Sequence, residues 1–283
     1  MAGVTFSRIG IVGIGLIGGS VARAARVASS TVSIIGLDED DVSRAASDAG
    51  IIDRPADLDD IAACDLVVLA APVSANLAWL DRLAAVRSRA LVTDVGGTKR
   101  QMNVMASALG ARLSFVGGHP MAGSERSGFA AADAALFHDK KWFVVPTPTS
   151  ASDDVSRLDA WIRTLGAVPS VVDAETHDRV MATVSALPQV AASVLMAVVA
   201  DRVDVEGLRM SGPGLRDTTR LAGSAATWMT DGLAHNTREV ADALDAFIAE
   251  LRIVRDQLDT PERVSSLFTR AQEWRRTLME LPR

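Results

Sequence analysis

A doubly wound, parallel α/β sheet followed by an all-α second domain is the fold class this sequence predicts, and three observations predict it. Apolar runs of strand length alternate with helical stretches from residue 8 to about 172. The first run leads directly into Gly13-Ile14-Gly15-Leu16-Ile17-Gly18-Gly19, a spacing that turns a strand into a helix. Beyond about Glu175 the strand signals stop and long helical periodicities take over. At 283 residues the chain exceeds the usual size of one core, so two domains are expected, 1–173 and 174–283.

The strand-like runs are Arg8–Val12, Val32–Leu37, Leu66–Ala71, Ala90–Asp94, Leu113–Gly117 and Trp142–Pro146. They are apolar throughout rather than alternating, as strands covered on both faces are. Between them fall helical segments including Leu16–Ala28, Asp40–Ala49 and Ala75–Leu83. Pro146 to Asp153, rich in Pro, Ser and Thr, reads as a loop, and a helix over Asp154–Leu165 and a strand over Ser170–Asp173 close the first domain. In the second domain Val240, Leu244, Phe247, Ile248, Leu251, Val254 and Leu258 recur at helical spacing. Thr260-Pro261 restarts a helix with a cap and a first-turn proline, whose stripe is Val264, Leu267, Phe268, Ala271, Trp274 and Leu278. Both stripes suit an internal core. Yet a helical domain of about 110 residues has little bulk to cover two of them, so a homodimer through the C-terminal helices is expected.

Hydrophobic residues are 48% and charged residues 23%, ordinary for a globular chain. With a net charge of −6 and no basic run, nucleic-acid binding is not expected. The single cysteine, Cys64, excludes an internal disulfide and suits a reducing compartment. Histidines 119, 138, 177 and 235 are scattered without metal-ligand spacing, so no metal is expected. Ile9 to Val21, preceded by Arg8, mimics a weak signal peptide, but its glycines sit at nucleotide-binding spacing. Val190 to Ala200 is apolar for 11 residues, too short for a bilayer and more like a buried helix. A cytoplasmic protein with no membrane partner is the expectation.

In the glycine-rich turn the first glycine permits the tight bend, the second admits a pyrophosphate, and the third allows close helix–strand packing. The helix N-terminus then offers free N–H groups to phosphate. A glycine pattern alone is weak evidence. Here the second run ends at Gly36-Leu37-Asp38, an acidic residue 20 positions beyond Gly18, suited to ribose hydroxyls and repellent to a 2′-phosphate. NAD is therefore the expected cofactor, facing Gly13, Ile14, Gly15, Leu16, Ile17, Gly18 and Asp38, with Ala71 and Pro72 after the third run.

Two further segments carry candidate chemistry. Gly117-Gly118-His119-Pro120-Met121-Ala122-Gly123-Ser124 reads as a turn after a strand, holding one histidine at the edge of a nucleotide-binding sheet. An imidazole there suits a general base for an alcohol that loses hydride, although a lone histidine is also a common turn residue. Gly212-Pro213-Gly214-Leu215-Arg216-Asp217-Thr218-Thr219-Arg220 leads into a helix on which Asp217 and Arg220 share a face. A guanidinium so oriented can hold a substrate carboxylate, while most pairs at this spacing are solvated surface pairs.

Taken together these residues resemble the prephenate/arogenate dehydrogenase family of tyrosine biosynthesis, over Gly10 to about Asn236. The resemblance is carried by Gly13–Gly19, Asp94–Lys99, Gly118–Gly128, His177-Asp178, Ser185–Gln189, Asp217–Arg220 and Trp228, and the segment around His119 is its most specific part. It implies a Rossmann domain followed by a helical dimerisation domain. It also implies oxidative decarboxylation, in which hydride leaves ring carbon 4 for the nicotinamide, the ring carboxylate departs as CO2, and the ring becomes aromatic. By position His119 corresponds to the acceptor of the 4-hydroxyl proton and Arg220 to the arginine holding a substrate carboxylate. Ser124, Gln189 and Trp228 correspond to positions near the substrate.

The sequence departs from the family where a D-x-G-S-V-K pattern is usual: the serine position is Gly97, with Thr98 beside it as a substitute hydroxyl. Ser185-Ala186-Leu187-Pro188-Gln189 stands where S-H-L-P-H is common. Prephenate or arogenate is the expected substrate. The alternatives are a 4-amino analogue in specialised metabolism, kept open by Gly97 and Gln189, and a catalytically silent NAD-binding regulator, against which His119 and Arg220 argue.

Overall fold

The computed structural model describes residues 6–124 and 126–281, so Glu125 of the His119 segment lies outside the described residues. Eight strands form one sheet in the order β3-β2-β1-β4-β5-β6-β7-β8. They are β1 Arg8–Val12, β2 Ser33–Leu37, β3 Arg54–Pro55, β4 Leu66–Leu69, β5 Leu91–Asp94, β6 Ser114–Pro120, β7 Lys141–Pro146 and β8 Val168–Val171. Every neighbouring pair is parallel except β6 and β7. The chain order reverses between β1 and β4, which opens a crevice at their C-terminal ends where α/β sheets bind ligands.

The strands are apolar because both faces are covered. One face packs Ile9, Ile11, Ile34, Leu66, Val68, Val116 and Trp142 with α1 (Leu16–Ala28) and α6 (Ser152–Thr164). The other packs Val12, Val67, Leu69, Val92 and Phe115 with α4 (Val73–Ala85) and α5 (Arg100–Leu109). Helices α2 (Asp40–Asp48) and α3 (Leu58–Ala62) close the β2 and β3 edge. The short elements α3 and β3 carry too little periodicity to be read from sequence.

Two expectations change. His119 does not sit in a turn: β6 continues through Pro120, and His119 pairs with Phe143 of antiparallel β7. The preceding glycines serve close approach instead. A Cβ on Gly118 would lie 2.5 Å from the Asp94 carbonyl oxygen and 3.0 Å from Trp142 Nε1. Nor is the Val190–Ala200 helix buried.

That helix belongs to a helical run from Ala174 to Arg202: α7 (Ala174–Met181), a π-turn over Ala182–Ala186, and α8 (Leu187–Arg202). Helices α9 (Val205–Arg209), α10 (Pro213–Thr219), α11 (Ala226–Ala234), α12 (Thr237–Asp256) and α13 (Pro261–Glu280) follow. Within α8 only Ala192 is buried, while Val194, Leu195 and Val198 face solvent. By length and composition alone the Ala174–Arg202 run would also cross a membrane. Its apolar side instead shares an open groove of about 650 Å³ with Phe247, Ile248 and Leu251 of α12.

The two halves meet through helix N-termini. Neither α4 nor α5 has a side chain of its own capping its first turn. Asp231 of α11 accepts from Val73 N at 2.6 Å at the start of α4. Asp178 of α7 accepts from Lys99 N at 2.7 Å and Arg100 N at 2.9 Å at the start of α5. Carboxylates from the helical half thus satisfy orphan donors of the sheet half, where the helix dipoles favour negative charge. Asn236 Nδ2, donating to the Asp178 carbonyl at 2.8 Å, and the Arg100–Glu239 ion pair at 2.8 Å complete the joint.

Candidate active site

The glycine-rich loop leaves β1 with Gly13 at φ +91, a left-handed conformation in which an added Cβ would meet Ala71 N at 2.5 Å. At Gly18 a Cβ would lie 2.0 Å from the Gly13 carbonyl oxygen, so the loop and the first helical turn close only around a glycine. Gly15 is different: nothing stands within 4 Å of its Cβ position, leaving that side open for a ligand to reach the backbone. The first turn of α1 has no capping side chain and no acidic residue, so its N–H groups and positive dipole end face the opening. Asp38 directly follows β2, with Oδ2 accepting from Ile14 N at 2.5 Å and Oδ1 from Glu39 N at 2.8 Å. Each oxygen keeps a lone pair, so Asp38 both holds the loop and can accept ribose hydroxyls. Ala71 lies against Gly13 beyond β4, with Pro72 next along the chain, and Asn76 Nδ2 donates to the Ala71 carbonyl at 2.9 Å. This cradle fits a dinucleotide.

Beside it, a cleft of about 230 Å³ runs between the halves. Val73 at the start of α4 lines it together with Gly97, Thr98, His119, Ser185, Gln189 and Trp228. The π-turn Ala182–Ala186 forms part of its wall, a local widening of the helix common at functional sites. His119 Nε2 is 3.9 Å from the Cβ position of Gly97, so any side chain at 97 would abut this nitrogen. On the other side of the ring, His119 Nδ1 is 2.8 Å from His177 Nε2, and His177 Nδ1 is 2.8 Å from Asp178 Oδ1. Burial, followed by the electrostatic influence of His177 and Lys99, holds the His119 pKa well below the usual 6.5. Behind this group, Lys99 and Asp94 form an ion pair whose side chains are wholly buried, and Asp94 also accepts from Gly96 N and Gly118 N.

The expected site residues therefore divide. His119, Thr98, Gln189 and Trp228 come together in the cleft; Ser124 and Arg220 do not line it. Ser124 is exposed and its Oγ accepts from Arg126 N at 3.1 Å. Arg220 is exposed at the end of α10, and the expected Asp217–Arg220 pair is not formed. Helix α10 ends at Thr219 and Arg220 opens the tighter 3-10 turn that follows, so the α-helical spacing to Asp217 is not kept. Gln189 spends its polar atoms on that neighbourhood, donating to the Leu221 carbonyl at 2.6 Å and accepting from Ser224 Oγ at 3.2 Å. Sequence reasoning assigned no role to Asp178, His177, Asp231 or Asn236. For the first two the adjacent His-Asp pair was a signal; the others gave none.

A dinucleotide cradle, opening onto a cleft with a neutral, half-buried histidine and closed by a helical second domain, defines a two-domain dehydrogenase scaffold. Known proteins narrow that class. Residues 21–171 match the family model for the prephenate dehydrogenase nucleotide-binding domain and residues 173–272 that for its dimerization domain. The first match begins past the glycine-rich loop, whose assignment rests on its own geometry. The chain is 33% identical to prephenate dehydrogenase of Bacillus subtilis (94% of this chain, 74% of that protein). It is 34% identical to prephenate dehydrogenase of Lactococcus lactis (85% of this chain, 68% of that protein). The crystal structure of prephenate dehydrogenase from A. aeolicus with hydroxyphenyl propionate and NAD+ superimposes with a TM-score of 0.87 at 28% identity, covering 97% of this chain and 98% of that one. The chain belongs to the prephenate dehydrogenase family.

Proposed function

We propose that this protein catalyses the NAD-dependent oxidative decarboxylation of prephenate, and that His119 is its general base. The observation that carries the reading is the free Nε2 face of His119, lining the cleft that begins at Val73, immediately beyond the Ala71-Pro72 edge of the cradle. NAD, when bound along Gly13–Gly18, Asp38 and Ala71-Pro72, supplies the hydride acceptor. The chain's own residues do the rest. His119 Nε2, neutral because its pKa is depressed, takes the proton of the ring hydroxyl as hydride departs, and the C–CO2 bond then breaks with aromatisation. Trp228 and the π-turn wall off the ring, and Thr98, 6% exposed beside Gly97, offers a hydroxyl near the reacting centre.

Arg220, with Ser124, is proposed to hold a substrate carboxylate at the rim, its turn steadied by the Gln189 contact to Leu221. Arogenate differs from prephenate only in the side chain and is the second substrate to try. Because no side chain at 97 meets His119 Nε2, a 4-amino analogue is the third. We also assign the substrate and assembly role to residues 174–283, which form a homodimer through α8, α12 and α13 in the cytoplasm. Support comes from the apolar groove and from Phe268, Trp274 and Leu278, all at least 60% exposed.

Spectrophotometric NADH formation with prephenate, arogenate and the amino analogue, with CO2 release as the check, tests the reaction. Turnover of prephenate or arogenate is expected; turnover of the amino analogue alone moves the assignment to specialised metabolism, and none at all overturns it. Light scattering at micromolar concentration should give twice the chain mass, and a monomer mass would remove the dimer.

A further inference from the structure

We infer that His177 and Asp178 are positioning residues that lock the tautomer of His119 and share the charge it acquires, an inference that rests on His119 being the base. The geometry points to this from the carboxylate end of the contact chain. Both oxygens of Asp178 are acceptors, Oδ1 from Lys99 N and Oδ2 from Arg100 N, and its side chain is wholly buried. Only a proton on His177 Nδ1 makes a hydrogen bond of the 2.8 Å contact with Asp178 Oδ1. In the neutral ring, His177 Nε2 then carries a lone pair. His119 Nδ1, 2.8 Å away, must donate to it. The proton of neutral His119 therefore resides on Nδ1 and its lone pair on Nε2, the nitrogen that faces Gly97 and the cleft. The helical domain thus decides which nitrogen of a sheet residue is the base.

The chain of contacts also acts after proton transfer. When the substrate O–H bond breaks and an N–H bond forms at Nε2, His119 becomes a cation. Its Nδ1–H still donates to His177, which in turn donates to a carboxylate held by the N-terminus of α5. The buried Lys99 opposes this cation, but its charge is met by Asp94, with which it is paired. Lys141 is engaged over the Phe143 ring and is not part of the chain. The ring of His177 stands edge-on to Phe143, centroids 5.4 Å apart, so its orientation is fixed by packing as well.

The test combines a spectroscopic and a kinetic reading. In 15N-histidine NMR at pH 8, with His119 assigned by its loss in His119→Asn, wild-type His119 should show Nδ1 protonated and Nε2 bare. The opposite tautomer overturns the inference, and the reading needs no variant beyond the folded His119→Asn used for assignment. His177→Phe removes the acceptor and should lower kcat by at least about tenfold, short of the roughly 10²–10⁴-fold expected from deleting the base itself, with substrate KM and NAD affinity near wild type. His177→Gln, whose carbonyl can accept from His119 Nδ1, should recover most of that loss. Wild-type kcat in His177→Phe would leave His177 a packing residue. An inactive wild type, or an unaffected His119→Asn, would instead count against the proposed reaction, while the tautomer result would stand.

Discussion

The two halves of this molecule bury their apolar residues in opposite ways. In the sheet half, central strands and their covering helices enclose Ile9, Ile11, Leu66, Leu69 and Trp142 almost completely. In the helical half, beyond the π-turn, Ala192, Asn236 and Val240 are the residues buried among those described. Phe247, Ile248 and Leu251 present between 36% and 52% of their surface instead. A sheet covered on both faces completes its own core, whereas helices with apolar stripes on two sides leave one side at the surface. What joins the halves is polar: Asp178 and Asp231 on helix N-termini, and Arg100 on Glu239. On the function proposed above, the sheet half carries cofactor and base, while the helical half carries substrate grip, tautomer control and assembly.

This division can be broken experimentally. The largest effect belongs to the base. His119→Asn should cut kcat by roughly 10²–10⁴-fold and leave NAD affinity near wild type by calorimetry. Its acid limb is a second check. Because the His119 pKa lies below 6.5, kcat/KM should stay level through that value on acidification and fall only further down, as the base is protonated; the variant should lose this limb. A wild-type midpoint at or above 6.5 would contradict the neutral ring.

Arg220→Gln comes next, on the other side of the division. Loss of a charged hydrogen bond, about 1.5–3 kcal/mol, should raise substrate KM by roughly 10–150-fold while NAD binding holds. Equal damage to both would show that the halves do not divide the labour. In the cradle, Asp38 should make kcat/KM for NAD exceed that for NADP by at least about tenfold, from loss of a ribose hydrogen bond of the same class and like-charge repulsion. Parity between the cofactors would remove Asp38 from the ribose. The smallest effect sharpens the joint itself. Asp231→Ala should cost about 0.5–2 kcal/mol, the usual price of a lost helix cap, read as a lower midpoint in urea unfolding. No change would mean that water replaces the cap.

Much of the fold was legible before any coordinates. Continuous apolar runs, the glycine spacing and Asp38 marked the strands, the turn and the crevice, because each depends on residues close in sequence. The extension of β6 through His119 was not legible, since it depends on pairing with β7 more than twenty residues later. The demand for glycine at 118 has the same origin, because Asp94 and Trp142 crowd it from two other strands. Exposure of the Val190–Ala200 helix was misread because apolar composition says that a surface is to be covered, not by which chain.

By itself the sequence determined the order of elements, the dinucleotide turn, the acidic end of β2 and the family signature around His119. These are set by local periodicity, backbone freedom and short-range spacing. Only the tertiary structure decided that Asp178 and Asp231 cap helices from across the domain joint, that Gln189 holds the Leu221 turn, and that His119 leans on His177 with Nε2 toward the cleft. Those partners lie 32 to 158 residues apart. Hydrogen bonds at such separations follow from how packed elements approach one another, and no pattern along the chain encodes a direction in space.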